Sequence, residues 1–251
     1  MSTEYAAPAL EKGLDILEAL AASAPGLTQN ELAAALNRTV PEIFRMLEVL
    51  RRRGWVHRDP GTARHTLSLR LFELAHRHPP TRRLLDAAVP VLRTLADSLG
   101  QSAHLSIRTG DRLLVLAVAE GYADMGFAVK LGSTYPFAPD RSSARILAAF
   151  GDEATRTLLL NAAKPRDTAA LKRDLDAIRE SGTLLAPSAT IAGVTDLCAP
   201  IIGADATAVA ALTVPYLERR NGPKPATARV SLTEAAARIS EAIGGTPPVD
   251  A

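Results

Sequence analysis

Arginine side chains recur between positions 38 and 77 at a density that suits the binding of an extended anion. Nine arginines stand against four acidic residues here, a net charge of +5, whereas residues 1–37 carry one lysine against five acids. Guanidinium groups form paired hydrogen bonds with phosphate oxygens, which a nucleic-acid backbone presents at regular intervals. Because the whole chain carries only +2, the concentration of charge is local and predicts a phosphate-binding surface.

Two short helices are predicted to position these arginines. Thr28 with Glu31, and Thr39 with Glu42, form two capping boxes, and Pro41 suits the first turn of the second helix. Apolar residues then recur at helical spacing and predict one buried face on each helix, formed by Leu27, Leu32, Ala33 and Leu36 and by Ile43, Met46, Leu47 and Leu50. Two short helices joined by a tight turn predict a helix-turn-helix, whose second helix enters the DNA major groove.

A hairpin is predicted directly after the second helix, which ends in three arginines before Gly54. Pro60 and Gly61 are expected to supply the backbone dihedral angles of its turn. The flanking segments alternate apolar and basic residues, and such a wing would bring Arg58, Arg64 and His65 close to phosphate. The expected DNA-binding residues are Thr28, Thr39, Val40, Glu42, Phe44, Arg45, Arg52, Arg58 and Arg64. The alternative is a winged helix that docks another protein, and it predicts no salt-dependent binding to duplex DNA.

The chain after Thr81 shows a mixture of helical and strand patterns. The expected helices cover residues 81–99, 142–150, 152–161, 168–181 and 226–243. The expected strands cover residues 104–108, 112–120, 126–131, 195–202 and 207–216. Antiparallel strands with helices gathered on one face predict an α+β sensor domain.

Two consecutive prolines, Pro79 and Pro80, are expected to end the helix that begins at Ser68, because proline cannot continue a helix. The expected organisation is a winged helix-turn-helix at residues 1–67, a linker helix at 68–80 and a C-terminal domain at 81–251. His76 and His78 lie at this boundary without a carboxylate or thiolate nearby. We expect a solvated helix end there and not a metal site.

The C-terminal half lacks the motifs of common catalytic sites. It has no Gly-x-Ser-x-Gly elbow, no phosphate loop and no cluster of metal ligands, so we expect no catalytic residue, metal or cofactor. Cys198 lies in an apolar strand, where a cysteine more often packs in the core than acts as a nucleophile. The alternative is a small-molecule hydrolase that uses Asp140, His104 or Cys198 and carries the winged helix for dimerisation.

Composition indicates where such a chain would work. No apolar run is long enough to span a membrane, and the N-terminus lacks the basic start and apolar segment of a signal peptide. A single cysteine excludes an internal disulfide, which suits a reducing compartment. We therefore expect a cytoplasmic protein without a membrane partner.

Short motifs spread over nearly the whole chain resemble the IclR family of bacterial transcription regulators. They include LTQNELA at 27–33, FRMLEVL at 44–50, GWV at 54–56 and LSLRLFEL at 67–74, and continue at 9–17, 132–133, 136–137, 180–182, 199–201 and 210–214. The resemblance implies an N-terminal DNA-binding domain, a linker helix and a GAF-like C-terminal domain that senses a small molecule. It also implies homodimers or homotetramers, and a candidate dimer seam lies on the first helix at Leu10, Leu14, Leu17 and Leu20.

Residues 136–143 resemble the effector loop of that family. Ser142 is expected to cap a helix whose amides face an anion, and Arg141 to clamp a carboxylate with two hydrogen bonds. The apolar wall is expected from Met125, Phe127, Leu197 and Tyr216. The full set of expected effector-binding residues is Met125, Phe127, Asp140, Arg141, Ser142, Asp196, Cys198, Thr213 and Tyr216.

Four places in the presumed pocket depart from the family's pattern. Arg141 stands where the family more often has a small residue, Ser143-Ala144 where it has Gly-Lys, Ala186 where it often has an acid, and Asp196 where it often has cysteine. These departures argue against a glyoxylate-like or pyruvate-like effector and favour an acid or amide with an apolar body, aromatic ones included. The sequence thus predicts a repressor or activator of a catabolic operon, which binds a palindromic operator in double-stranded DNA and responds to a small molecule.

Overall fold

The computed structural model describes residues 7–77, 79–121, 127–220 and 222–248. The chain divides into two compact units, Met1–Thr81 and Arg82–Ala251. The first unit has one hydrophobic core, and the second has two, on different sides of its sheet.

In its described residues the N-terminal unit consists of short helices and one hairpin. The elements are α1 (Pro8–Ala21), α2 (Gln29–Ala35), α3 (Val40–Arg52), β1 (Val56–Arg58), β2 (His65–Leu67) and α4 (Arg70–His76). Its core is formed by Ile16, Leu20, Leu32, Ala33, Ile43, Leu47 and Val56. These residues lie where the helical spacing predicts them, and the helix-turn-helix of α2 and α3 is confirmed.

Helix α1 contributes to this core only with the residues near its C-terminal end. Leu20 is 3% exposed, and Leu17 packs against the same cluster, so both stabilise the unit itself. Leu10 and Leu14 are 63% and 49% exposed. Of the four leucines expected at a dimer seam, only these two lie on the surface of the unit.

Both predicted capping boxes are present. The hydroxyl of Thr28 accepts a hydrogen bond from the Glu31 amide at 3.3 Å, and the Glu31 carboxylate accepts from the Thr28 amide at 2.8 Å. At α3, the Glu42 carboxylate accepts from both the amide and the hydroxyl of Thr39, at 2.8 and 2.7 Å. These bonds satisfy amides that the first turn of a helix leaves unpaired, and so fix where α2 and α3 begin.

Strands β1 and β2 form the predicted hairpin, in antiparallel register with Val56 opposite Leu67. The Asp59 carboxylate accepts hydrogen bonds from the amide and hydroxyl of Thr62, at 2.6 and 2.8 Å, and so closes the turn. The residue with the left-handed backbone is Ala63 (φ 56°) and not Gly61, which corrects the expected role of that glycine.

The C-terminal unit is built on one antiparallel sheet. Its helices are α5 (Pro79–Leu99), α6 (Ser142–Phe150), α7 (Glu153–Ala162), α8 (Thr168–Ser181) and α9 (Pro225–Ala242). Its strands are β3 (Ala103–Thr109), β4 (Arg112–Ala119), β5 (Thr134–Pro136), β6 (Leu184–Pro187), β7 (Val194–Ile202) and β8 (Ala208–Leu217). The strand order is β5-β4-β3-β8-β7-β6 in the described residues, and the α+β class is confirmed.

Helices cover both faces of this sheet. One core joins α5 and α9 to the face that carries Leu105, Leu212 and Val214, and the other joins α6, α7 and α8 to the opposite face. The expectation of helices on one face only was wrong. The sequences of β7 and β8 could have indicated this, because both strands are apolar and buried over most of their length. A strand with one solvent-exposed face alternates polar and apolar residues.

Two strand assignments also differ from the sequence pattern. Residues 127–131 are irregular, Gly126 lies outside the described residues, and the strand that pairs with β4 is β5. Strand β6, which pairs with β7, was missed because four residues ending in proline give too short a pattern. Helices α6 and α8 begin and end where predicted.

Candidate nucleic-acid interface and ligand cavity

The outer face of α3 presents an aromatic and a basic side chain to solvent. Phe44 is 51% exposed, and Arg45 beside it is exposed and makes no hydrogen bond or ion pair within the described part of the chain. The inner face is fixed by Ile43 and Leu47, which are buried in the core. This packing holds α3 with Phe44 and Arg45 facing outward, as a recognition helix requires.

The residues at the start of α3 are already engaged within the unit. Thr39 and Glu42 bond each other, and the Glu42 carboxylate also lies 3.7 Å from the Lys12 ammonium. The hydrogen bonds from Thr39 hold the pKa of Glu42 below its usual range, so the side chain stays ionised near phosphate. Val40 is half-buried against the core. Thr28, half-buried, caps α2.

The predicted phosphate contacts differ in how free their side chains are. Arg52 at the end of α3 and Arg58 on β1 are exposed. Arg64 donates two hydrogen bonds to the Glu31 carboxylate, at 2.8 and 3.0 Å, and another to the Gly26 carbonyl oxygen at 2.8 Å. The Arg64 guanidinium thus ties the wing to α2, and a phosphate would have to compete with Glu31 for it.

His65, expected near phosphate, is buried. Only 3% of the residue is exposed, and its backbone pairs with Leu27 at 2.7 and 3.0 Å. Burial lowers the pKa of its imidazole, so the side chain is neutral in the folded unit near neutral pH. Its role is structural, and this corrects the expectation from the basic character of the wing.

The C-terminal unit encloses a cavity of about 330 Å³ between the sheet, the start of α6 and the segment before β7. The volume falls within the range of small-molecule sites. Strands β3, β4, β5, β7 and β8 contribute side chains, and so do α6 and irregular segments. The lining residues are His104, Ser106, Leu113, Val115, Phe127, Ala128, Val129, Lys130, Ser133, Tyr135, Asp140, Arg141, Ser142, Ser143, Ser188, Ala189, Thr190, Asp196, Thr213 and Pro215.

Arg141 is held at the edge of the cavity by three neighbours. Its guanidinium donates to the Thr190 hydroxyl at 2.9 Å, lies 3.8 Å from the Asp140 carboxylate and sits 5.4 Å from the centre of the Tyr135 ring. These contacts restrict the rotamers of the side chain while several of its donors remain available. A pre-oriented guanidinium is well suited to bind a carboxylate.

Ser142 plays a different part from the one expected. Arg141 occupies the N-cap position of α6 without a capping hydrogen bond from its side chain, whereas Ser142 is the first helical residue and donates its hydroxyl to Asp196 at 2.9 Å. Burial raises the pKa of the Asp196 carboxyl, while Ser142, Ser188 and Arg141 act in the opposite direction. The anion at the start of α6 is thus a side chain of the protein itself.

Hydroxyl and imidazole groups line the deeper part of the cavity. Thr213 shares hydrogen bonds with the Ser143 hydroxyl at 3.1 Å and the Cys198 thiol at 3.0 Å. His104 lies opposite Thr213 in the β3 and β8 register, and burial lowers its pKa to about 4. A neutral imidazole can serve a ligand as donor or acceptor.

Six of the nine residues expected to bind effector line this cavity, namely Phe127, Asp140, Arg141, Ser142, Asp196 and Thr213. Tyr216 does not line the cavity, because it lies on the other face of β8 and packs with Leu212 and Val214 in the core. Leu197, expected in the apolar wall, lies in the same core. Cys198 is buried behind Thr213, and burial raises the pKa of its thiol to about 12. Met125 lies outside the described residues.

The cavity also contains residues that the sequence analysis did not assign to it. Strands β3 and β4 provide His104 and Ser106, and Leu113 and Val115, each pair two positions apart. Alternation along a strand places such pairs on one face. That signal was present, but it does not say which face of a sheet covered on both sides forms a cavity.

Two family models match this chain. Residues 9–60 match the IclR helix-turn-helix domain, and residues 80–241 match the C-terminal domain of the bacterial transcriptional regulator IclR. Together the matches cover most of the chain. The chain belongs to the IclR family. It is thus related to transcriptional regulators and not to enzymes.

Relatives of this IclR-family protein align over most of its length. The HTH-type transcriptional repressor AllR of Salmonella typhimurium is 23% identical over 256 residues, which cover 99% of this chain and 94% of that protein. The crystal structure of HmgR from Pseudomonas aeruginosa is 25% identical, with a TM-score of 0.77 over 95% of this chain and all of that one. An IclR homolog from Microbacterium hydrocarbonoxydans, complexed with 4-hydroxybenzoate, is 21% identical, with a TM-score of 0.79 over 94% of this chain and 98% of that one.

Two further features are absent from the described residues of the IclR-family chain. No three side chains of His, Cys, Asp or Glu within them are grouped so that they could hold a metal ion. His78 of the boundary pair lies outside those residues. No helix among them is both long and apolar enough to cross a membrane.

Proposed function

We propose that this protein regulates a catabolic operon by binding a palindromic operator in double-stranded DNA as a homodimer or homotetramer. Helix α3 enters the major groove, where Phe44 and Arg45 contact the DNA, and the exposed Arg52 and Arg58 bind phosphates. The outward placement of Phe44 and Arg45 on a helix whose other face is buried, and the exposure of Arg52 and Arg58, support this assignment. The exposed leucines of α1, Leu10 and Leu14, offer an apolar surface for pairing of protomers.

The effector is a small organic acid or amide with an apolar body, aromatic compounds included. The observation that carries this proposal is the fixed Arg141 guanidinium on a cavity that otherwise presents mainly apolar and hydroxyl side chains. The 4-hydroxybenzoate found in the Microbacterium relative supports an aromatic acid. Binding would change operator affinity to the extent that the effector prefers one arrangement of the protomers over another.

Selection of DNA fragments from sheared genomic DNA of the source organism tests the DNA-binding part. The purified protein is used at about 0.15 M salt, where nonspecific attraction to phosphate is weakened. One enriched site with two-fold related halves is the expected result. No enrichment, together with no salt-dependent binding to duplex DNA, would instead support a winged helix that docks another protein.

The effector part is tested with the selected operator and a panel of benzoates and benzamides. We expect at least one compound to change the operator affinity of the wild type. The Arg141→Ala variant should bind that compound about tenfold more weakly or worse, because a charge-assisted paired contact is lost. Arg166→Ala is the matched control, because Arg166 is exposed and pairs only loosely with Asp167 at 3.8 Å. A compound that binds tightly and leaves operator affinity unchanged would contradict the coupling.

A further inference from the structure

An acidic side chain occupies the position in the cavity where the acid group of a ligand would otherwise be most stable. Asp196 lines the cavity from β7 and is joined to the first turn of α6 by the Ser142 hydroxyl at 2.9 Å. Helix α6 has nine residues, and the N-terminus of a helix carries partial positive charge that favours an anion. The Asp196 carboxylate bonds the side chain of the first residue of this helix and so adds negative charge near its N-terminus.

The charged groups of the cavity are divided between its interior and its mouth. Arg141 is held by Thr190 and by Asp140, and Lys130 is exposed. Asp196 is half-buried, and burial raises the pKa of its carboxyl, while the hydroxyls of Ser142 and Ser188 and the charge of Arg141 act in the opposite direction. A cationic or hydrogen-bond-donating group placed next to it would favour the charged carboxylate.

The Asp196 carboxylate has hydroxyl partners and can still accept a further donor. Ser142 donates to Oδ2 at 2.9 Å and Ser188 also hydrogen-bonds the carboxyl, whereas a carboxylate can accept about four hydrogen bonds. The imidazole of His104, a residue only 8% exposed, lines the same cavity and has no side-chain hydrogen bond to any described residue. A ligand in the cavity can thus bond the His104 imidazole and add a donor to the Asp196 carboxylate.

We infer that Asp196 determines effector specificity, by requiring that the inner end of the effector carry a hydrogen-bond donor, such as a hydroxyl, an amine or an amide N–H. An acid group of the same effector is then held at the mouth by Arg141. The inference rests on the proposed use of this cavity for the effector. It narrows the ligand class to molecules with an acceptor at one end and a donor at the other.

Two probes of similar size and opposite charge, benzylamine and benzoate, test the inference by calorimetric titration of the full-length protein. In Asp196→Ser the ammonium partner is lost and the start of α6 becomes open to an anion. We expect the affinity for benzylamine to fall about tenfold and the affinity for benzoate to rise about tenfold. The ratio of the two dissociation constants then changes by about a hundredfold. Asp140→Ser is the matched control, since it removes the same charge from the edge of the same cavity.

Several results would overturn the inference. These are a ratio that changes less than threefold in Asp196→Ser, an equal change in Asp140→Ser, and binding of neither probe to any of the three proteins. Asp196→Asn keeps the volume of the side chain and guards against misfolding of the serine variant, and it should also lose benzylamine about tenfold. Neither titration uses DNA, so a failure of the proposed operator binding would appear separately, in the fragment selection.

Discussion

Acidification provides a direct measure of how firmly the ligand cavity excludes water from His104. Burial lowers the pKa of this imidazole from 6.5 to about 4. The unfolded chain therefore takes up a proton at higher pH than the folded chain does. Stability that depends on the neutral imidazole is complete above the unfolded pKa and is lost as the pH falls from about 6.5 toward 4.

The expected size of this loss follows from the two pKa values. The interval between 6.5 and about 4 corresponds to about 3 kcal/mol in the free energy of unfolding. At pH ~4.5 most of it, about 2.5 kcal/mol, should already be lost. Because other groups also titrate in this range, the quantity to compare is the difference between wild type and a variant that lacks the imidazole.

Urea unfolding of wild type and His104→Gln at pH ~7 and ~4.5, followed by circular dichroism, measures that difference. Between these two pH values the free energy of unfolding of the C-terminal unit should fall by about 2.5 kcal/mol more in the wild type than in the variant. His57→Gln is the control, because His57 lies exposed on β1. Equal losses in wild type and His104→Gln, or an NMR titration of His104 near 6.5, would refute the argument and show that water reaches the ring.

Other predictions follow from the N-terminal unit and the buried thiol. Arg45→Ala should weaken operator binding and make its salt slope shallower by about one ion, measured by fluorescence anisotropy, and an unchanged slope would count against a phosphate contact. Glu31→Gln should lower the melting temperature of the N-terminal unit at neutral pH by breaking the link to Arg64. The hydrogen bond from Thr28 lowers the Glu31 pKa, so wild type and variant should converge as the pH falls through that lowered value. Cys198 should resist alkylation until the C-terminal unit unfolds, since burial raises its pKa to about 12, and rapid labelling of the native protein would contradict this.

The sequence predicted best those features that depend on neighbours along the chain. Both capping boxes, the hairpin and the bounds of α6 and α8 depend on local spacing, and all are present. The family resemblance supplied the order of domains and the segment around Arg141. Six of the expected effector-binding residues line the cavity because that segment and β7 meet there.

The sequence did not predict side-chain placements that depend on contacts between residues far apart in the chain. Arg64 has the composition of a phosphate contact, but its partner Glu31 lies 33 positions away in the sequence, so no local pattern reveals the pair. His65 is buried because Leu27 pairs with its backbone. Tyr216 and Asp196 were assigned to one pocket although their strands turn them to opposite faces of the sheet. Strand alternation could have separated Tyr216 from Thr213, which lie three positions apart.

The alternation along β8 has a consequence for how such a regulator can change its ligand during evolution. Thr213 and Pro215 face the cavity, while Leu212, Val214 and Tyr216 face the core shared with α5 and α9. Point mutations at the first set can change the cavity while leaving in place the core shared with α5 and α9. Insertion or deletion of one residue would exchange the two sets and place a threonine in the core. Descendants of this chain should therefore diversify in their inducers by substitution at alternate codons, while the length of this strand stays constant.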